Sequence, residues 1–305
     1  MPDLDLRLVR YFVAVANARH FGRAATSLFI SQPALSQSIA KLEKQLGVRL
    51  LERSNRAVEL TTVGQGFLVE SERLLQAAEV ALSVAQRGRR EQTQILRVGY
   101  IAGPGELMSH ILALAEERLP RVTLVTSRLE WRDQERAVVQ GRVDASFARA
   151  PITDPALECL ETGREERVVV LAKDHPLTSR ASIDIDEISS DQLITTGTYP
   201  SEEWRLWWAA SPRANGLPIR WGTNVDTVEE LLDEVARGHG IAITAQAIRH
   251  FYNRPDISFV SLTGVEETTV QLCILREGAS PLARQFVALA RTVVADHRPS
   301  TSGVV

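Results

Sequence analysis

Along the first sixty residues, apolar positions recur at helical spacing in three successive stripes. Leu6, Val9, Phe12, Val13 and Ala16 make the first, and FGRAATSLFI makes the second, with Ala24 and Ala25 small enough for close helix contact. In SQPALSQSIAKLEKQLG, residues 31–47, the third stripe is Leu35, Ile39, Leu42 and Leu46. Ser31 stands where an N-cap belongs, Pro33 lies in the first turn where a missing amide proton costs nothing, and Gly47 follows where a helix stops. Only about Ile30 and Ser31 separate the second helix from the third. So tight a joint predicts a helix-turn-helix, whose second helix enters the major groove of DNA. Away from the apolar stripe this helix presents Pro33, Gln37, Ala40, Lys41 and Lys44, with Gln32 and Ser36 near its exposed beginning. A polar face without carboxylates at its leading end approaches phosphates and base edges without repulsion.

The pattern then shortens to two β-like runs in VRLLERSNRAVELT, around Ser54 and Asn55. A turn there presents Arg53 and Arg56 as a wing toward the DNA backbone or minor groove, where phosphate neutralisation supplies most of the affinity. A solvated hairpin with ordinary surface arginines is the plainer alternative. Residues 61–90 return to the helical period: Phe67 and Leu68, Leu74 and Leu75, then Ala81 and Leu82 fall one heptad apart, with Glu70, Glu72, Arg73 and Glu79 between them. Such a helix, roughly 45 Å long, needs a partner. A second copy in a dimer suits the reading of two half-sites about one turn of duplex apart, while packing on its own chain is the alternative. GRREQTQ then reads as a linker.

From Ile95 onward the pattern is α/β. Strand-like runs ILRVGYI, VTLVTS, VDASFA, RVVVLA, QLITT, GIAIT, ISFVSL and VQLCIL alternate with helical segments such as ELMSHILALAEERL, RDQERAVVQ, SEEWRLWWAA, VEELLDEVARG and PLARQFVALARTVVADH. The alternation predicts mostly parallel sheet covered by helices, and about 200 residues suit two lobes with a cleft between them.

Charge sharpens this division. Residues 1–91 carry 13 Lys and Arg against 9 Asp and Glu, whereas the remaining residues carry 22 against 29, so a net charge of −3 conceals a basic beginning and an acidic remainder. A nucleic-acid-binding end attached to a module that binds something else fits that asymmetry. The chain of 305 residues, 44% hydrophobic and 24% charged, has ordinary globular composition, no run of the roughly 18 to 20 apolar residues that spans a bilayer, and acids before its first apolar stretch, unlike a signal peptide. The expectation is a cytoplasmic protein without membrane partners. Its two cysteines, Cys159 and Cys273, are far apart in sequence and form no C-x-x-C pair, which argues against a disulfide scaffold or a zinc site. Cys273 lies in the alternation TVQLCILR and reads as core; a redox role for the pair stays open because sequence does not give their distance.

The stretch LRLVRYFVAVANARHFGRAATSLFISQPALSQSIAKLEKQLGVRLLERSNRAVELTTVG resembles the DNA-binding module of the LysR-type transcriptional regulators, joining the capped recognition helix, the LGVRLLER run and a T-x-x-G start to the next helix in the family's order. The resemblance covers the whole chain in architecture and is weaker in sequence after residue 91. It implies an α+β multidomain protein: a winged helix-turn-helix at 1–60, a dimerising linker helix at 61–91, a two-lobed effector domain at 92–298 resembling periplasmic binding proteins, and a tail at 299–305. It further implies a homodimer assembling as a homotetramer, promoter DNA and a small-molecule effector as partners, RNA polymerase as a further partner, and neither cofactor nor metal. By the same resemblance Gln32, Pro33, Ser36 and Gln37 contact DNA and Arg53 is the wing arginine, to which Lys41 and Arg56 add charge. Many relatives carry arginine where this chain has Gln37, and glutamine reads adenine whereas arginine prefers guanine.

The resemblance also implies two crossings between lobes, near 160–167 and 263–270, giving a first lobe of 95–163 plus 268–297 and a second of 164–267. Ligands of open α/β folds bind beyond the carboxyl ends of strands. That points to AGPGE, EWRD, TGTYPSEEW and NVDTVEE. Gly103, Pro104 and Gly105 offer a tight approach to a helix N-terminus suited to a small anion, though such a turn also occurs with no ligand. Trp131, Phe147, Arg149, Thr195, Tyr199, Ser201 and Thr227 complete the candidate lining. Aromatic walls, hydroxyls and one cation point to a small organic acid, aromatic if DASFARAPITDPALE marks the family's regulators of aromatic-compound breakdown. A solute-binding protein or a cleft enzyme with an accessory helix-turn-helix is the competing class. The first needs an export signal, and the second lacks G-x-S-x-G and H-E-x-x-H motifs and any histidine spacing suited to a metal.

Overall fold

Asp5 accepts the amide proton of Arg7 and caps α1 (Leu6–Ala18), which buries Leu8, Val9, Phe12, Val15 and Ala16. The computed structural model that establishes this describes residues 4–53, 58–101, 107–197 and 199–297, without the side chains of residue 53 and residues 83–93. The chain divides into two compact units, Met1–Ser83 and Val84–Val305. In the first, α1 is followed by α2 (Phe21–Ser27) and α3 (Gln32–Leu46), and the three pack around Phe12, Ala24, Leu35, Ile39 and Leu42. A ribbon of β1 (Leu51–Arg53) and β2 (Val58–Leu60) comes next, antiparallel with Leu51 opposite Leu60 and Arg53 opposite Val58.

The turn into α3 holds an unusual residue. The amide of Ile30 bonds the carbonyl of Ala25 and that of Phe29 bonds Thr26, the double closure of a helix whose next residue turns left-handed. That residue is Phe29, at φ +55° and 95% exposed, where glycine is the usual occupant. Phe29→Gly is expected to raise the stability of this unit by about 1 kcal/mol, because a left-handed conformation is relieved and no packing is lost. A denaturant midpoint at or below that of the parent would contradict this.

The T-x-x-G stretch acquires a physical reason. Thr61 donates its hydroxyl proton to the carbonyls of Arg49 and Leu50 and accepts the amide proton of Gly64, opening α4 (Thr62–Thr93). A Cβ at Gly64 would stand 2.0 Å from the Leu50 carbonyl oxygen, so only glycine lets the helix start this close to β1. At 32 residues α4 spans roughly 48 Å. It runs through residues 88–93, correcting the expectation of a linker there: RREQT carries no helix breaker, and the helical hydrogen-bond ladder continues to Thr93.

The second unit begins with β3 (Ile95–Tyr100), α5 (Leu107–Arg118), β4 (Thr123–Arg128), α6 (Asp133–Val139) and β5 (Ala145–Arg149). β6 (Leu157–Glu165) then leads out of the first lobe, and β7 (Arg167–Ala172) opens the second. The second lobe continues through β8 (Ser182–Asp184), β9 (Leu193–Thr196), α7 (Glu202–Trp208), β10 (Trp221–Val225), α8 (Val228–Ala236), β11 (Ala242–Ala245), α9 (Ile248–Phe251) and β12 (Ile257–Thr263). β13 (Thr268–Leu275) returns to the first lobe and α10 (Pro281–His297) closes the described chain. The first-lobe sheet runs β4-β3-β5-β13-β6 over a core that includes Phe147, Leu272 and Phe286. The second lobe has the sheet β11-β7-β12-β8 and the pair β10-β9.

Both lobes are mixed, which corrects the expectation of mostly parallel sheet. β3 pairs parallel with β4 and β5, but β13 is antiparallel to β5 and β6, and β7 is antiparallel to β11 and β12. The two strands that carry the chain between lobes run in opposite senses and pair with each other, and hydrophobic periodicity does not encode strand direction. That pairing also corrects the expectation, drawn from their distant spacing, that the two cysteines do not serve as a disulfide. Cys159 and Cys273 sit directly opposite each other on β6 and β13 and form a disulfide across 114 residues of sequence.

Candidate functional site

The face of α3 turned away from the core is built by its caps. The Ser31 hydroxyl accepts the amide proton of Ala34, and Gly47 at φ +70° ends the helix. Gln32, Pro33, Gln37, Ala40, Lys41 and Lys44 are exposed and Ser36 is half-buried. No acid lies in the first turn of α3, so the partial positive charge of its N-terminus is unopposed there. The one carboxylate on the helix, Glu43, is turned toward the ribbon, where it accepts the amide protons of Leu50 and Leu51. Every other side chain on the exposed face is neutral or cationic. Arg53 ends β1 beside the loop of the ribbon, while its side chain and the whole of Arg56 lie outside the described residues.

On α4, Phe67 and Leu68 pack back onto the three-helix core, Phe67 with its ring 5.3 Å from that of Phe12. Farther along, Leu74 and Leu82 remain exposed at 36% and 62%, as do Val63 and Val69.

A second site lies between the lobes of Val84–Val305. Trp131 and Arg149 line it from the first lobe. From the second come Ile194, Thr195 and Thr196 of β9, Trp204 and Trp208 of α7, and Val228, Leu231 and Leu232 of α8. Ile243 and Thr244 of β11 and Ile248 of α9 complete it. Arg149 is held in place by Gln134, whose side-chain amide exchanges two hydrogen bonds of 3.0 Å with the Arg149 backbone. Its guanidinium donates to both oxygens of Glu165, each at 3.2 Å, and Glu165 also accepts the amide proton of Ala247. Burial pulls the Arg149 pKa below the usual arginine value and the charge of Glu165 opposes this. The organic-acid expectation counted Arg149 as a cation available to a ligand; its charge is instead met by the carboxylate of Glu165 at the end of β6.

The remaining candidates divide. Thr195 lines the cleft with Trp131 and Arg149. Phe147 does not: it is fully buried in the first-lobe core, edge-on to Phe286, because an inward position of a central strand faces the covering helix. Ser201 caps α7 and Thr227 caps α8, the latter in a capping box with Glu230, so both hydroxyls serve helix ends. Tyr199 packs beside Trp204 and Trp208 with the Arg205 guanidinium over its ring. Gly103, Pro104 and Gly105 lie outside the described residues.

Sequence reasoning missed the densest part of the lining. Trp204 and Trp208 stand four apart on α7 and share a face, a signal legible in EEWRLWW. It also missed a bridge between lobes beside the cleft. Arg128 at the end of β4 donates to Glu229 in the first turn of α8 and to the hydroxyl oxygen of Tyr252, which in turn donates to Glu229. Among the described residues no cluster of three or more His, Cys, Asp or Glu could hold a metal, and no helix is long and apolar enough to cross a membrane.

Two family models match the chain. Residues 6–65 match the bacterial regulatory helix-turn-helix protein, lysR family, and residues 89–295 match the LysR substrate binding domain. Among curated proteins, the uncharacterized HTH-type transcriptional regulator YnfL of Escherichia coli is 35% identical over 63% of this chain and 65% of its own length. The Hca operon transcriptional activator HcaR of Escherichia coli is 30% identical over 94% of this chain and 97% of its own length. The chain thus spans about two thirds of the first of these relatives and nearly all of the second. Among solved structures, a mutant of full-length BenM superposes with a TM-score of 0.56 at 25% identity, covering 99% of this chain and 100% of that one.

Proposed function

The chain belongs to the LysR family of bacterial helix-turn-helix regulators, and from that premise we propose that it is a sequence-specific transcriptional regulator responding to a small molecule held between its two lobes. The observation that carries the DNA half is the acid-free, exposed face of α3. Its first turn meets base edges, Gln37 reads adenine, and Lys41 with the ribbon arginines Arg53 and Arg56 neutralises phosphate. It works as a homodimer formed through α4, where exposed Leu74 and Leu82 seek a second copy, and two dimers make a tetramer. It acts in the cytoplasm, on promoter DNA and alongside RNA polymerase.

The effector is a small molecule with an aromatic or other apolar body, matched to a cleft walled by Trp131, Trp204 and Trp208. HcaR and BenM, regulators with which the chain aligns over most of its length, support the aromatic subgroup. Binding favours one relation of the lobes over another, and so one spacing of the DNA-reading heads; a ligand with equal affinity for both states would shift nothing. Activation and repression both follow from this scheme.

A gel-shift titration on the DNA upstream of its own gene is the test. The expected result is a discrete complex at low salt whose affinity falls steeply as salt rises, by about a thousandfold between 50 and 200 mM for six or more phosphate contacts. A protein that leaves this DNA unshifted at low ionic strength is a solute binder or an enzyme, and the reading fails.

A further inference from the structure

The two lobes of the C-terminal unit are tied at opposite edges of the first-lobe sheet. One edge is β6, which with its neighbour β13 carries the chain between lobes; the other is β4, four strand spacings or roughly 19 Å away. At the β6 edge the tie is covalent, and beside it lies the Arg149–Glu165 pair, whose side chains are only 6% and 15% exposed. At the β4 edge the tie is made by side chains, Arg128 from the first lobe and Glu229 and Tyr252 from the second.

These three close a ring of hydrogen bonds. The Arg128 guanidinium donates to both oxygens of Glu229, at 3.1 and 3.3 Å, and to the Tyr252 hydroxyl at 2.8 Å, and that hydroxyl donates to Glu229 at 2.7 Å. Each member stands close in sequence to a residue of the cleft wall: Arg128 to Trp131, Glu229 to Val228, and Tyr252 to Ile248. Arg128 and Glu229 are 42% and 52% exposed, so the ring meets solvent while those neighbours line the cleft. An exposed ion pair holds weakly and is loosened further by salt. Set at the edge opposite the crossing strands, such a bond acts on the separation of the lobes with a long lever and opens at small cost.

We propose that Arg128, Glu229 and Tyr252 form a clasp that holds the lobes closed over the cleft, with Arg128 as the positioning residue whose release admits a ligand. This rests on the reading of the cleft as the effector site and deepens it by naming the contact that regulates entry.

The disulfide makes a direct test possible. Because both native cysteines are in the bridge, Thr195→Cys places the only thiol of the oxidised full-length protein in the cleft wall. Its rate of alkylation by N-ethylmaleimide reads access to the cleft without effector or DNA. In this background Arg128→Gln and Glu229→Gln are each expected to speed alkylation about threefold to fivefold. The double variant should be no faster than either alone, since the two remove one shared interaction. Raising salt from about 0.05 to about 1 M should speed alkylation of the parent and leave the double variant unchanged. A thiol placed instead at exposed Glu117 on α5 should react at one rate with the clasp intact or broken, which shows that the variants remain folded.

Equal alkylation of Cys-bearing parent and single variants overturns the clasp. So does a double variant whose acceleration is the product of the two singles, because the side chains then act independently. A parent whose cleft thiol reacts as fast as the Glu117→Cys control has an open cleft, and closure is refuted. Since the readout needs neither DNA nor effector, loss of the clasp leaves the regulator reading standing, and failure of the gel shift leaves the clasp.

Discussion

Gln37→Glu is expected to weaken binding to promoter DNA about a hundredfold at low salt, the largest effect of any single substitution on the recognition face. Two losses combine. A glutamine that reads adenine contributes about 1–3 kcal/mol of discrimination, and its carboxylate replacement retains no donor for the adenine N7. The new charge also stands on a face where every other exposed side chain is neutral or cationic, against phosphates whose neutralisation supplies most of the affinity. Gln37→Ala isolates the first loss and should cost about tenfold, with an unchanged salt slope. Gel-shift titrations of the three proteins at two salt concentrations separate the contributions. Because Gln37 is exposed and outside the core, circular dichroism of both variants should match the parent. Full affinity in Gln37→Glu would mean that α3 does not meet the duplex with this face.

The second large effect concerns stability. Breaking the Cys159–Cys273 bridge is expected to destabilise the C-terminal unit by about 2–4 kcal/mol, since it closes a long loop whose unfolded chain regains freedom when it is cut. For a unit of this size that is a fall in Tm of roughly 5–15 °C. Melting of the oxidised protein with and without a thiol reductant measures it, and Cys159→Ser removes the bridge at its more exposed end while leaving the buried Cys273 in the core. The oxidised protein should show no free thiol until it is unfolded and reduced. Equal melting of the two forms would show that the β6–β13 pairing alone supplies this stability.

What could be read from the chain divides along the range of the signals. The three helices of the first unit, their caps and the exposed face of α3 were legible because each is written within a few residues: Ser31 three before Ala34, Gly47 after the last turn, Leu35, Ile39 and Leu42 on one stripe. The cleft was legible only in part. Trp131, Arg149 and Thr195 were placed there by the rule that ligands bind beyond strand ends, and the same rule wrongly drew in Phe147, which sits one pleat toward the core. Ser201 and Thr227, hydroxyl candidates for the cleft, lie in the local motifs S-E-E-W and T-V-E-E and cap α7 and α8 by accepting amide protons. The partners of Arg149 and Cys159 lie 16 and 114 residues away on strands whose direction periodicity does not give. Glu165 and Cys273 therefore could not be assigned to them before the fold was known.

Leu50 is bound from both sides. Glu43 ties the recognition helix to the amides of Leu50 and Leu51, while Thr61 ties the start of the long helix to the carbonyl of the same Leu50, against which only a glycine at 64 fits. Reader and handle thus meet at a single residue, so in the proposed dimer the angle at which the long helices are clasped dictates the angle at which each reader enters its groove. An operator is then measured as much as it is spelled: two perfect half-sites set half a turn too close would face opposite sides of the duplex and go unread.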